Sequence, residues 1–202
     1  MRSFALGLVV VAAFPALGGV PEKGDGTITL LGGARQIPTG DYGSGKDHSL
    51  IQPGLVLGFG YQPDDELHGG IQIGYMLDKY RGGAGDLSIR TIQILLQIDT
   101  ALVKESWYTL YAGGGIGYSL NTGTRGATNV EANSTAGFIA LGGRFRLTDH
   151  LAFVVEDRYT ISSAAVDAAA GGRTVNVGGN FLGIGLQIHY FSSDDRGRPG
   201  GD

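Results

Sequence analysis

Arg144 and Arg146 stand two residues apart, as do Glu156 and Arg158, and Gln93, Gln97 and Asp99 keep the same even spacing. In an extended chain, side chains two apart project from one face, so each set delivers its charges and amides to a single surface. If the segments carrying Arg144 and Glu156 pair through the turn Thr148 to His150, Glu156 lies diagonal to Arg144, within reach of a charge pair. Gln187 and His189 add polar groups of matching parity. Enclosed together, such groups either satisfy one another as a buried polar plug or line a wet pore. The plug is the leading expectation, and a narrow channel for small solutes is the alternative.

Other chemistry finds weaker support. His48, His68, His150 and His189 are scattered, and none completes a nucleophile, base and orienter. Asp64, Asp65, Glu66 and His68 have the composition of a cation site without the spacing of a calcium loop, so they read as a polar turn. Gly113, Gly114, Gly115 and Gly117 precede no helix-forming segment and are better explained by strand curvature than by phosphate binding. No catalytic residue, metal site or cofactor is expected. A formal net charge of -4, with no basic cluster interleaved with aromatics, excludes nucleic acid as a partner.

The elements that must hold these groups are strands. Ile92, Ile94, Leu96 and Ile98 alternate with Gln93, Leu95, Gln97 and Asp99, and the same period of two recurs in Leu55, Leu57, Phe59, Tyr61 and in Ile71, Ile73, Tyr75, Leu77. One face meets an oily environment, and the other is small or polar. About eight such runs are separated by clusters of turn residues. They fall near Gly26–Arg35, Leu50–Tyr61, Gly69–Tyr80, Leu87–Ala101, Trp107–Leu120, Ala136–Leu147, Leu151–Ile161 and Val177–Phe191. The expected fold is all-β: an eight-stranded antiparallel up-and-down transmembrane barrel. The 37 glycines, without a collagen period, suit strongly curved strands.

Turn lengths assign a direction. Compact connections at 62–68, 102–106 and 148–150 read as periplasmic turns, and the polar stretches Gln36–Ser49, Asn121–Thr135 and Ser162–Asn176 as extracellular loops, with Arg81–Asp86 a short exception. The aromatics agree: Tyr61, Trp107, Tyr108, Phe145, Phe153 and Tyr190 gather at one set of strand ends, and Tyr75, Tyr118 and Tyr159 towards the other.

Met1 and Arg2, the apolar stretch Phe4 to Phe14, and the small residues Ala16 and Gly18 read as a cleaved secretory signal over residues 1–19. That stretch falls short of the ~20 residues of a membrane helix. The barrel domain then covers 20–191, and the polar Gly-rich residues 192–202 form a disordered tail. The absence of Cys excludes both a disulfide framework and a lipidated N-terminal cysteine.

Gly185, Leu186, Ile188 and Tyr190 in the last strand resemble the C-terminal assembly signal of Gram-negative outer-membrane proteins, with Phe191 one position beyond the alternation. Together with Glu156-Asp157-Arg158-Tyr159, the chain resembles the small eight-stranded outer-membrane superfamily of the OmpA/OmpX type. The resemblance implies residence in the bacterial outer membrane, contact with lipid and lipopolysaccharide, and recognition of strand 180–191 by the outer-membrane assembly machinery. Some such barrels modify lipid A, so an enzyme of that kind is a further alternative, as is a soluble lipocalin-like barrel with inverted faces.

Lys79 and Arg90 fall on the outward face near the top of one hairpin, where they could contact lipopolysaccharide phosphates. Asp157 also falls on the lipid face. Two placements would reconcile it with the membrane: the outer interface just below Tyr159, or a β-bulge that turns it. The leading functional expectation is a non-enzymatic barrel with a largely filled lumen and a structural or surface-interaction role, its long loops meeting extracellular ligands.

Overall fold

The computed structural model describes residues 24–36, 51–80, 87–125, 128–166, 173–176 and 178–190. The expected signal segment 1–19, residues 37–50 with nearly all of the expected loop Gln36–Ser49, the expected connection 81–86 and the expected tail 192–202 lie outside the described residues. Nine strands are present: β1 (Gly26–Gln36), β2 (Ile51–Tyr61), β3 (Leu67–Tyr80), β4 (Leu87–Lys104), β5 (Tyr108–Arg125), β6 (Thr128–Thr148), β7 (Leu151–Val166), β8 (Arg173–Asn176) and β9 (Gly179–Tyr190). Both β8 and β9 pair antiparallel with β7, at Ser163↔Asn176 and Thr160↔Gly179, so they form one interrupted stave. Each strand from β2 to β7 pairs with its predecessor, and β9 closes the ring between β7 and β1, giving an eight-stave barrel.

Closure pairs each stave on both sides through the apolar belt, and alternation then sorts the side chains. Outward positions carry Leu30, Leu55, Ile73, Leu96, Ile116, Ile139, Leu182 and Ile184, all exposed, with Ile116 reaching 72%. Inward positions carry the buried Thr27, Gln72, Gln93, Asp99, Arg144, Glu156, Arg158 and Gln187. Burial therefore inverts the rule for soluble proteins: the charges are inside and the large aliphatics outside. In water this surface would be a single apolar patch far larger than monomers tolerate. A hydrocarbon surround removes the conflict.

Both chain ends of the barrel and the short connections between β2 and β3, β4 and β5, and β6 and β7 lie at one end, called here the turn end. The aromatics follow the expected girdle. Trp107, Tyr108, Phe145 and Phe153 stack edge to edge around the turn end, with neighbouring centroids 4.5 to 6.5 Å apart. Tyr61 and Tyr190 continue the ring, and Tyr75, Tyr118 and Tyr159 are exposed towards the opposite, loop end.

Two expected loops are strand instead. The stretch Asn121–Thr135 is mostly ladder, since β5 and β6 pair from Tyr108↔Phe145 up to Arg125↔Thr128. Likewise β7 runs on to Val166 and pairs with β8, so most of the expected loop Ser162–Asn176 is hairpin. Here the outward positions become Thr122, Thr124, Glu131 and Asn133. A strand that is polar on both faces has the composition of a loop, and pairing alone distinguishes them.

Candidate functional site

The bonded network of the polar interior is built by six strands. β3 supplies His68, β4 supplies Gln97 and Asp99, β5 supplies Tyr111, β6 supplies Arg144, β7 supplies Glu156 and Arg158, and β1 supplies Thr27. Asp99 is the hub. Arg144 Nη2 donates to both its oxygens at 2.9 Å, His68 Nδ1 to Oδ2 at 2.9 Å, and Gln97 Nε2 to Oδ2 at 2.7 Å. A carboxylate only accepts, so His68 carries its proton on Nδ1 and turns Nε2 towards Thr27 Oγ1, 2.9 Å away. The Asp99 and Arg144 side chains are 2% and 6% exposed, so this pair is shielded from screening.

Arg144 also lies over the Tyr111 ring, its Cζ 3.9 Å from the centroid. The Tyr111 hydroxyl donates to Glu156 Oε2 at 2.8 Å, and Arg158 Nε donates to Oε1 at 3.0 Å while its guanidinium covers the Phe138 ring at 4.3 Å. A continuous chain of contacts thus runs Thr27, His68, Asp99, Arg144, Tyr111, Glu156, Arg158. Within this chain Asp99 and Arg144, and likewise Glu156 and Arg158, set opposite charges against each other, the condition under which burial is tolerated.

Three of these contacts skip a strand, and each passes over a glycine. Thr27 and His68 meet across Gly60 of β2, Asp99 and Arg144 across Gly113 of β5, and Tyr111 and Glu156 across Gly142 of β6. A Cβ on Gly60 would stand 2.7 Å from Thr27 Oγ1, one on Gly113 2.5 Å from Asp99 Cβ, and one on Gly142 2.5 Å from the Tyr111 hydroxyl. These glycines provide the room in which non-neighbouring strands touch.

The remaining lumen is layered. Beyond the charges, Leu31, Val56, Met76, Val154 and Phe181 form one apolar cluster, and Leu95, Ala136 and Phe138 another. Nearer the loop end, Thr91 Oγ1 donates to Asn121 Oδ1 at 2.9 Å, Asn121 Nδ2 to Ser134 Oγ at 3.4 Å, and Ser134 and Ser162 hydroxyls meet at 2.9 Å. A cavity beside the charges, lined by Thr29, Gln72, Gln97 and Gln187, leaves about 10 Å³ open to the centre of a water, room for about one molecule.

Every expected lumen residue has inward parity, yet the partners differ from those expected. Arg144 takes Asp99 rather than Glu156, because Tyr111 occupies the space between them and Glu156 is taken by Arg158 on its own strand. Arg146 stays at the turn-end rim, 23% exposed, donating to Asp149 Oδ1 and the Ser106 carbonyl, so it is outside the network. Gln187 donates to Thr29 Oγ1 at 2.9 Å, and Gln93 and His189 are buried and inward. Arg90 is exposed on the outer face of β4 as expected, whereas the Lys79 side chain lies outside the described residues.

The acidic turn separates into ordinary roles: Asp64 Oδ1 accepts the Glu66 and Leu67 amides, Asp65 pairs with Lys104, and His68 points into the lumen. Among the described residues no three acidic or histidine side chains converge on a cation position. Sequence reasoning missed Tyr111, His68 and Thr27 as network members. Their strand parity carries the signal, but charge and amide content drew attention elsewhere.

Tyr111→Phe keeps the ring beneath Arg144 and removes only the hydroxyl that Glu156 Oε2 accepts. Leaving that buried oxygen unmatched is expected to cost about 1–3 kcal/mol. Urea unfolding of the refolded barrel in lipid vesicles measures it as a lowered midpoint at unchanged slope, and an unchanged midpoint would show the bond to be dispensable.

No protein-family model matches the chain, and no curated protein matches it in sequence. Solved structures do match in fold. Neisserial surface protein A superposes with a TM-score of 0.58 at 16% identity, over 83% of this chain and 98% of that one. The outer membrane protein OprG from Pseudomonas aeruginosa gives 0.56 at 17% identity, over 87% and 99%. The outer membrane protein AlkL in DMPC lipid bilayers gives 0.53 at 14% identity, over 91% and 98%. At such identities the likeness speaks for the fold.

Proposed function

We propose that this chain, which has the fold of the small eight-stranded outer-membrane β-barrels, is an integral outer-membrane protein that works through its surfaces while its lumen is held shut. The observation that carries this reading is the bonded chain from Thr27 to Arg158, which ties six strands together across the interior and leaves beside it room for about one water. A passage for solutes would require separating buried opposite charges, an expensive step in a low-dielectric interior. With the interior engaged, the rims and loop-end connections remain for recognition. On this reading the turn end is periplasmic and the loop end extracellular. Arg90 stands on the outer face near the loop end, placed for a charge-assisted contact with lipopolysaccharide phosphate, and Lys79, its hairpin neighbour in sequence, is the expected second cation. The strand Gly179–Tyr190 is the element offered to the assembly machinery.

Planar-bilayer recording from purified, refolded protein tests the closed lumen. The expected trace is flat at the resolution that detects single porin openings. Steady discrete openings would establish the channel reading instead, and Arg144 and Asp99 would then be the first residues to line it.

A further inference from the structure

Three buried polar atoms of the lumen lack a partner, and the residues that carry them share one cavity. Among the described residues Gln72 Oε1, Gln187 Oε1 and Arg144 Nε make no hydrogen bond, and Gln72, Gln187 and Arg144 all line the cavity beside the charges, together with Thr29 and Gly58. The other buried side-chain atoms in this condition, on Thr109, Arg146 and His189, belong to residues outside that lining. Two of the three side chains are fixed through other atoms. Arg144 Nη2 is bonded to Asp99 while its guanidinium covers Tyr111, and Gln187 Nε2 donates to Thr29 Oγ1 at 2.9 Å. All three residues are buried, so bulk water does not serve them.

The inventory of this site selects its ligand. It offers two amide oxygens that need donors and one N–H that needs an acceptor. A cation would meet the Arg144 guanidinium, and an anion would meet the two amide oxygens. The cavity has room for about one water, and a water gives two O–H groups and accepts through a lone pair. Buried waters make about three hydrogen bonds, the number this site provides.

We propose that a single water is a resident ligand of the lumen, accepting from Arg144 Nε and donating to Gln72 Oε1 and Gln187 Oε1. This rests on the closed-lumen reading given above, since an open passage would exchange the water freely. The bonded chain from Thr27 to Arg158 contains no residue of β9, and the water carries it there. Thr27 on β1 bonds His68 on β3, His68 bonds Asp99 on β4, and Asp99 bonds Arg144 on β6. The water joins Arg144 to Gln187 on β9, and Gln187 returns to β1 at Thr29, its direct partner in the ladder between the first and last strands. The open chain becomes a ring around the lumen, closed across the seam that completes the barrel.

Oxygen-17 relaxation dispersion counts waters held for longer than the protein takes to tumble, and it does not respond to hydrogen exchange with hydroxyl groups. In refolded protein in micelles, wild type is expected to hold one more such water than Gln187→Leu and one more than Gly58→Ala. The second variant leaves every polar group in place: a Cβ on Gly58 meets Thr29 Cβ at 3.5 Å and Gln72 Cγ at 3.7 Å, ordinary contact distances, so the methyl enters the cavity without displacing its walls. Thr122→Ala, on the outer face of β5, keeps the wild-type count. The mobility difference between boiled and unboiled samples shows which variants are folded. Nitrogen-15 NMR of wild type needs no variant: Arg144 Nε–H is expected to show cross-relaxation with water of the sign that marks a long-lived contact. A wild-type count in both folded lumen variants, or an Arg144 Nε–H without that cross-relaxation, overturns the proposal. Discrete openings in planar bilayers overturn the closed lumen itself and are read independently of the water count.

Discussion

Arg144→Ala is expected to destabilise the barrel by about 3–5 kcal/mol, the usual consequence of removing one member of a buried ion pair. Arg144 donates to both oxygens of Asp99 and covers the Tyr111 ring. Its loss leaves a carboxylate 2% exposed, held by the donors Gln97 and His68. Urea titration in lipid vesicles, read by the mobility difference between boiled and unboiled samples on an SDS gel, gives the midpoint.

A control separates lost charge from lost packing. Replacing Asp99 and Arg144 together by Leu and Met removes both charges and restores apolar volume, and is expected to recover most of the loss. If the single variant unfolds at the wild-type midpoint, the pair does not hold the lumen shut, and the closed-lumen reading loses its support.

Leu96→Arg bears on the surroundings of the barrel. Leu96 is 61% exposed on β4, with Ile71 directly opposite on β3 and the still more exposed Ile116 on β5. Facing lipid near mid-depth, an arginine there costs about 2–4 kcal/mol. Facing water, it would change stability by at most ~0.5 kcal/mol and improve solubility. The unfolding midpoint in vesicles is expected to fall for Leu96→Arg and to hold for an arginine at Thr122, an outward position of β5 beyond the apolar belt. A neutral Leu96→Arg would favour a soluble barrel, though such a barrel would carry its aliphatics on the wrong face.

The bonded interior and the apolar belt are two results of one alternation, but they respond to different variants. Network substitutions leave the belt intact, and belt substitutions leave the network bonded. Asp157 is the place where the two requirements touch, because parity forces a carboxyl outward to keep Glu156 and Arg158 inward.

Much of this was decided locally. Whether Gln93, Asp99, Arg144 or Glu156 points in or out depends only on odd and even positions within a strand, which is why the sequence sufficed for strand existence, facing, aromatic rims and the inward polar set. Chain order and turn length likewise sufficed for an up-and-down meander. Partner choice was decided only by the tertiary structure. Adjacent-strand reasoning pairs Arg144 with Glu156, whereas closure curves the wall so tightly that side chains reach across an intervening strand wherever Gly60, Gly113 or Gly142 leaves room. The height of β5 and β6 was hidden for a related reason. From Asn121 to Thr135 neither face is apolar, and only hydrogen bonding to the neighbouring strand, a non-local property, makes that stretch a wall rather than a loop.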